Sequence, residues 1–376
     1  MKFSIIAEKF TEAIKPAVSI ASRRAITPLE ETILIEVTEK NLTVKATNLE
    51  EYFVARLLGD YFVANLSDID SSATFRVGVN VGHLYDIVKS LNETIEIGLN
   101  NNRLEIATRT GKYALNTFDP DHFPEFPTIK EATNLITFEG ALFKSLVDDV
   151  GFAASNDEIR PELKGLYFAS KGSVLTVAAT DGYRAVIKRM ASPTDIDTEV
   201  LIPVKFLQKV KSYVSDTVNL LFTPAYVSIE ISVSPNLTYN FYSRLINEKY
   251  PNIEAAVPTD FISELEVDRQ TFLKTLKRLE NVVNRQTGRI IIYTPDKDTL
   301  TIESRDEVEA VESIPIKLTG ETFKIAFNIK FIINSLSRIE SDVVVIKVKH
   351  PHKPVLLTPK SGDDLRHIIM PQKVEE

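Results

Sequence analysis

The carboxylate of this sequence best placed for chemistry is Asp181. It lies in LTVAATDGYRAVIKRM, Leu175–Met190, with Gly182, Tyr183 and Arg184 directly after it. A carboxylate beside a phenol and a guanidinium has the parts of a general acid–base site. The same stretch is also two alternating apolar runs meeting at Asp-Gly, the strongest short hairpin signal, and Gly182 takes a positive φ without strain. A hairpin turn is therefore the backbone reading, and it leaves unexplained why Tyr183 and Arg184 stand beside it. A second acidic group, Asp306, Glu307, Glu309 and Glu312 in SRDEVEAVES, offers paired carboxylates. Strand alternation instead puts Glu307 and Glu309 on one face, a surface for a basic partner. His350 and His352 in KHPHKP alternate and have the spacing for weak metal binding, but a surface loop accounts for them; His83, His122 and His367 have no ligand partner near in sequence.

Several chemistries are excluded by what is missing. There is no cysteine, hence no thiol nucleophile, disulfide or Cys-based zinc site. Gly111-Lys112 is followed by tyrosine and lacks the glycine spacing of a phosphate loop. No Gly-x-Gly-x-x-Gly and no nucleophile elbow occur. The residues point to no catalytic centre, no metal and no cofactor. No apolar run approaches the roughly 18 residues of a membrane span, and MKFSIIAEKF lacks the form of a signal peptide. The expectation is a cytoplasmic protein with no membrane partner.

The elements that carry these residues repeat. FSIIAEKFTEAIKPAVSIA, LITFEGALFKSLVDDVGFAA and LEVDRQTFLKTLKRLENVV each read as a short strand, a turn and a helix opening near Phe10, Phe143 or Phe272. FRVGVNVGHLYDIVKSL, VLIPVKFLQKVKSYV and FKIAFNIKFIINSLSRI repeat a second strand-to-helix unit. Alternating β-branched runs such as TILIEV, GLYFAS and RIIIYT follow. The period is too long for a solenoid, so the pattern predicts three similar domains, each with two helices against antiparallel strands, of class α+β. Proline-bearing connectors at 121–134 and 249–261 read as extended. The resulting boundaries are 1–128, 129–257 and 258–376.

Charge is unevenly placed. The chain carries −8 overall, but windows over the six expected helices carry +7, leaving −15 elsewhere. In the helix from Asp268, Phe272, Leu276, Leu279 and Val283 form an apolar face, with Lys274, Lys277, Arg278 and Arg285 largely off it. Lys205 and Lys209 stand one turn apart beside Phe206 and Val210. These cations are either a solvated helix face or a surface that follows a phosphate backbone without reading bases.

In order along the chain, MKFSI, SRRAITPL, TNLEEYFVAR, DHFPEFP, IRPELKGLYF, ATDGYR, KYPNIEAAVP, IAFNIKFIINSL and HIIMPQK resemble the bacterial sliding clamp family, the beta subunit of DNA polymerase III. The similarity spans the whole chain. It implies the DNA clamp fold, a head-to-tail homodimeric ring, and sequence-independent binding of double-stranded DNA inside that ring. It implies a non-catalytic processivity factor whose partners are the polymerase III alpha subunit, the clamp loader, other polymerases and mismatch-repair proteins. They would insert a short extended peptide into a pocket formed by Leu163, Thr180, Gly182, Tyr183, Arg184, Pro251, Ile368, Met370 and Pro371. Arg24 and Arg160 carry over as DNA contacts, joining Lys205, Lys209, Lys274, Lys277, Arg278 and Arg285. The ring joint would pair Arg103–Leu115 with the region of Val282, Val283 and Arg289, with Arg103, Arg109 and Lys112 facing Glu307, Glu309 and Glu312. The chain departs from the family at Glu254, Ala255 and Ala256, at Gln372 and Lys373, at Gly82, and in the loop 156–162, which lacks an aromatic pair. The alternative is a clamp-like scaffold that does not encircle DNA.

Overall fold

The computed structural model describes residues 2–21, 27–59, 61–65, 74–127, 134–305, 308–362 and 364–373. All six expected helices form, each directly after a strand. The strand Lys2–Ile6 enters α1 (Ala7–Ile20), Phe75–Asn80 enters α2 (Val81–Val88), and Asn134–Glu139 enters α3 (Gly140–Asp149). Thr198–Pro203 enters α4 (Val204–Val210), Ser263–Asp268 enters α5 (Arg269–Leu279), and Lys324–Asn328 enters α6 (Ile329–Leu336). A strand passing straight into a helix leaves the first helical N–H groups without partners. Side chains at the junction supply them: Asn80 accepts from the His83 N–H, Asp268 from Thr271 and Asn328 from Lys330. Phe10, Phe143 and Phe272, the repeated phenylalanines, are fully buried.

Compactness divides the chain differently from the repeat. One unit comprises residues 1–144 and 205–245, the other 145–204 and 246–376. The central third is thus shared between them, because each of its sheets continues into another third by backbone pairing. In the first unit Leu237–Arg244 runs antiparallel to Glu51–Leu58, in register from Leu237↔Leu57 to Ser243↔Glu51, within a thirteen-stranded sheet. In the second unit Arg184–Ala191 pairs with Asp364–Ile369, from Arg184↔Ile369 to Arg189↔Asp364, within a nine-stranded sheet. That unit also holds a four-stranded sheet.

The connector expected to be extended at 249–261 contains a 3-10 turn, Ile253–Ala256, whose Ala255 N–H is capped by Asn252. Burial of Ile253 and Tyr250 folds it back on the sheet. No helix among the described residues is long and apolar enough to cross a membrane.

Candidate functional site

The hairpin at Asp181 forms, with its centre one residue later than the Asp-Gly signal implied. Thr180 pairs with Ala185, and the Asp181 N–H reaches the Arg184 carbonyl at 3.3 Å, so the two-residue loop is Gly182-Tyr183. Gly182, with φ of +88°, takes the first loop position, as a type II′ turn requires. The Asp181 carboxylate decides the register. Its Oδ1 accepts the Tyr183 and Arg184 N–H groups, both at 2.9 Å, and Oδ2 accepts Arg184 Nε at 3.0 Å. Both oxygens serve the turn, which explains the conjunction of Asp181 and Arg184 without acid–base chemistry. Thr180 Oγ1 closes the base, donating to the Arg184 carbonyl and accepting from the Gly182 N–H.

Arg184 is turned inward, with its side chain 13% exposed. Its guanidinium lies 5.1 Å from the Phe152 ring centroid and 4.9 Å from that of Phe331, and it donates to the Phe152 carbonyl at 3.1 Å. It holds the turn from beneath, engaged by two aromatic faces and Asp181. Beside it His367 is wholly buried, between Val186 and Leu357 on neighbouring strands and 6.1 Å from Phe152. Burial, and then the Arg184 charge, push the imidazole down to about 3. Phe152 and Phe331 were not singled out from sequence, and His367 was named only as lacking a near ligand partner, since nothing local to them announces a stacked cation.

Tyr183 is left at the tip, 62% exposed. Its carbonyl accepts the Met370 N–H at 2.9 Å, which sets the 41% exposed Met370 next to it. The end of the chain is pinned again where the Gln372 N–H meets the Ala326 carbonyl. Beneath lies an apolar floor of Ala178, Ala185, Ile187, Tyr250, Leu356 and Ile368. Leu163 and Thr180 are buried, Pro251 is exposed beside Tyr250, and Pro371 is half-buried. The arrangement is an apolar shelf with two exposed, adaptable side chains and no reactive group, suited to holding an extended peptide.

Arg160 joins this site. Its Nη2 donates to the Asp181 carbonyl at 3.2 Å, its Nε lies 3.6 Å from Asp157, and its guanidinium covers Gly182. The expected DNA contact is therefore engaged with the turn. Of the other expected cations, Lys209 pairs with Glu51 at 2.5 Å and Arg278 with Glu312, Nε to Oε1 at 3.0 Å. Lys205, Lys274, Lys277 and Arg285 are exposed and have no ion-pair partner among the described residues. Arg24 and Glu307 lie outside the described residues.

Two open strand edges bear on the expected ring joint. In the strand Lys112–Phe118, Lys112–Asn116 pairs with Arg103–Ala107, but on the other side only Thr117 and Phe118 are bonded, leaving Lys112–Asn116 free there with Tyr113 exposed. Arg103 donates to the Ala114 carbonyl at 3.0 Å, and Arg109 and Lys112 are exposed. Glu309–Pro315 is the edge of the four-stranded sheet, with Glu309 exposed and Val311 62% exposed. In the region Val282–Arg289, expected at the joint, Val282 is half-buried and Val283 buried, and the strand opening at Arg289 pairs with Lys324–Asn328 along its length and with Thr299–Arg305 only from Ile291 on.

The N-terminal domain of the DNA polymerase III beta subunit matches residues 1–127, its central domain 137–252 and its C-terminal domain 254–373. The chain belongs to the DNA polymerase III beta subunit family. Curated relatives named beta sliding clamp include that of Streptomyces coelicolor, 26% identical over all of both chains, and that of Bacillus subtilis, 25% identical over 99% of each. The crystal structure of the Bacillus subtilis DNA polymerase sliding clamp superposes with a TM-score of 0.91 at 22% identity, covering 100% of both chains. The DNA polymerase III subunit beta of Borrelia burgdorferi, solved with a natural product, gives 0.87 at 22% over 100% of both. The fold of the beta subunit, three similar α+β domains, is the fold of this chain.

Proposed function

We propose that the chain is a DNA sliding clamp, a non-catalytic subunit that closes as a head-to-tail homodimeric ring around double-stranded DNA and tethers the replicative polymerase. The carrying observation is the succession of three beta-subunit domains along one chain, spanning residues 1–373. The domains run 1–128, 129–257 and 258–376, and the ring works in the cytoplasm. A ring of two copies needs complementary ends on each. The free edge Lys112–Asn116, with Arg103, Arg109 and Lys112 near it, and the free edge Glu309–Pro315 supply opposite charge and backbone groups for strand addition. Lys205, Lys274, Lys277 and Arg285 face the phosphate backbone, where contact without base reading lets the ring slide.

The shelf of Tyr183, Met370, Pro371 and Pro251 over Leu163, Thr180, Gly182 and Ile368 receives peptides from the polymerase III alpha subunit, the clamp loader, other polymerases and mismatch-repair proteins. The direct test is primer extension by the cognate polymerase with loader and ATP. Products lengthen severalfold when the protein is added and shorten again with Met370→Ala. Equal product lengths with and without the protein refute the proposal.

A further inference from the structure

The wall that backs the peptide shelf has a second side. Tyr250 and Ile253 pack into the apolar floor with Leu356 and Ile368, and the same segment, Lys249–Glu254, also borders a separate groove of 430 Å³. Its floor is the outer face of the strand Gly165–Lys171, where Tyr167, Ala169 and Lys171 alternate toward it. Ala169 beside Thr176 makes the middle deep, because neither side chain fills the space. At one end Tyr167 stacks on Tyr250, ring centroids 4.6 Å apart and planes within 7°. From Tyr167 to Lys171 the floor is four residues long, about 13 Å, the length of four extended peptide residues.

The charges of this groove do not balance. The Glu254 carboxylate is taken by Arg189 at 2.5 Å. Glu199 lies against the Tyr167 hydroxyl, which burial first and that carboxylate second push up to about 12. Lys249 at one end and Lys171 at the other are exposed and have no acidic partner among the described residues. Two unpaired cations lining one groove, beside a wall shared with the shelf, fit a short acidic strand arriving from the shelf.

We propose that a partner peptide anchored on the shelf continues past Pro251 into this groove, where acidic residues meet Lys249 and Lys171, so that the groove selects partners with an acidic extension. This rests on the reading of the shelf as a peptide site. The test uses the full chain and fluorescein-labelled peptides in anisotropy titrations. The parent is Gly-Leu-Ser-Leu-Ser-Leu-Gly, whose alternating apolar anchors lie on one face of an extended chain. It is compared with versions carrying Asp-Ala-Ser-Glu, or neutral Asn-Ala-Ser-Gln, at either end. The acidic extension at one end tightens binding about tenfold over the parent, and the neutral one does not. The double variant Lys171→Glu, Lys249→Glu removes that gain while binding the parent unchanged. A parent that binds with no gain from either acidic extension overturns the groove alone, as does a gain that survives the double variant. A parent that fails to bind overturns the shelf and the groove with it.

Discussion

Asp181 looks like a catalytic acid in the sequence and is a structural acceptor in the fold. It receives two backbone N–H groups and one guanidinium N–H. Asp181→Ala is expected to lower unfolding stability by about 2 kcal/mol, since it strands charge-assisted donors, and to weaken peptide binding through disorder at Tyr183; chemical denaturation and anisotropy measure the two. Tyr183→Ala and Met370→Ala behave differently. Both side chains are exposed and hold nothing else in place, so each is expected to weaken peptide affinity about tenfold, the scale of one large apolar contact, with no change in melting. Unchanged affinity in both places the pocket elsewhere. His367 sets a pH dependence. Its folded value lies near 3 against 6.5 for a free imidazole, so below 6.5 the unfolded chain binds a proton that the folded chain does not. Stability then falls as pH drops through that window, by about 1 kcal/mol between pH 7 and 5.5. His367→Leu is expected to flatten that part of the curve, and an unchanged slope in thermal melts assigns it to other groups.

The helices were the most legible elements, because apolar period and position repeat three times: Phe10, Phe143 and Phe272 are buried at equivalent points. The strands Val174–Thr180 and Arg184–Ala191 were legible from alternation and from Gly182. What stayed hidden depends on contacts distant in the chain. Nothing local to Phe152 or Phe331 says that Arg184 stacks on both, so its inward role was invisible. Nor does SRDEVEAVES reveal that Glu312 is taken by Arg278 while Glu309 stays open. The resemblance put the joint near Val282–Arg289, whereas alternation alone cannot say which strand of a sheet is an edge; that is set by the order of pairing, and it leaves Glu309–Pro315 at one edge of its sheet. Val311→Asp, adding a charge to an exposed apolar position on that edge, is expected to shift the dimer toward monomer in sedimentation velocity without lowering the monomer's helix content by circular dichroism. A dimer of unchanged strength moves the joint away from this strand.

At the scale of the whole molecule, an acidic chain that gathers its cations on helices suits a protein that must hold nucleic acid on one surface and shed it from the rest. Binding by encirclement differs from binding by affinity in one property: it depends on whether the DNA has an end. The decisive measurement is retention on nicked circular DNA, loaded with the cognate loader and ATP and followed by gel filtration before and after a single double-strand cut. Retention on the circle and release within minutes of the cut is the predicted result, because a ring slides off an end that it cannot leave otherwise. Equal retention on circular and cut DNA, or none on either, would contradict the sliding clamp.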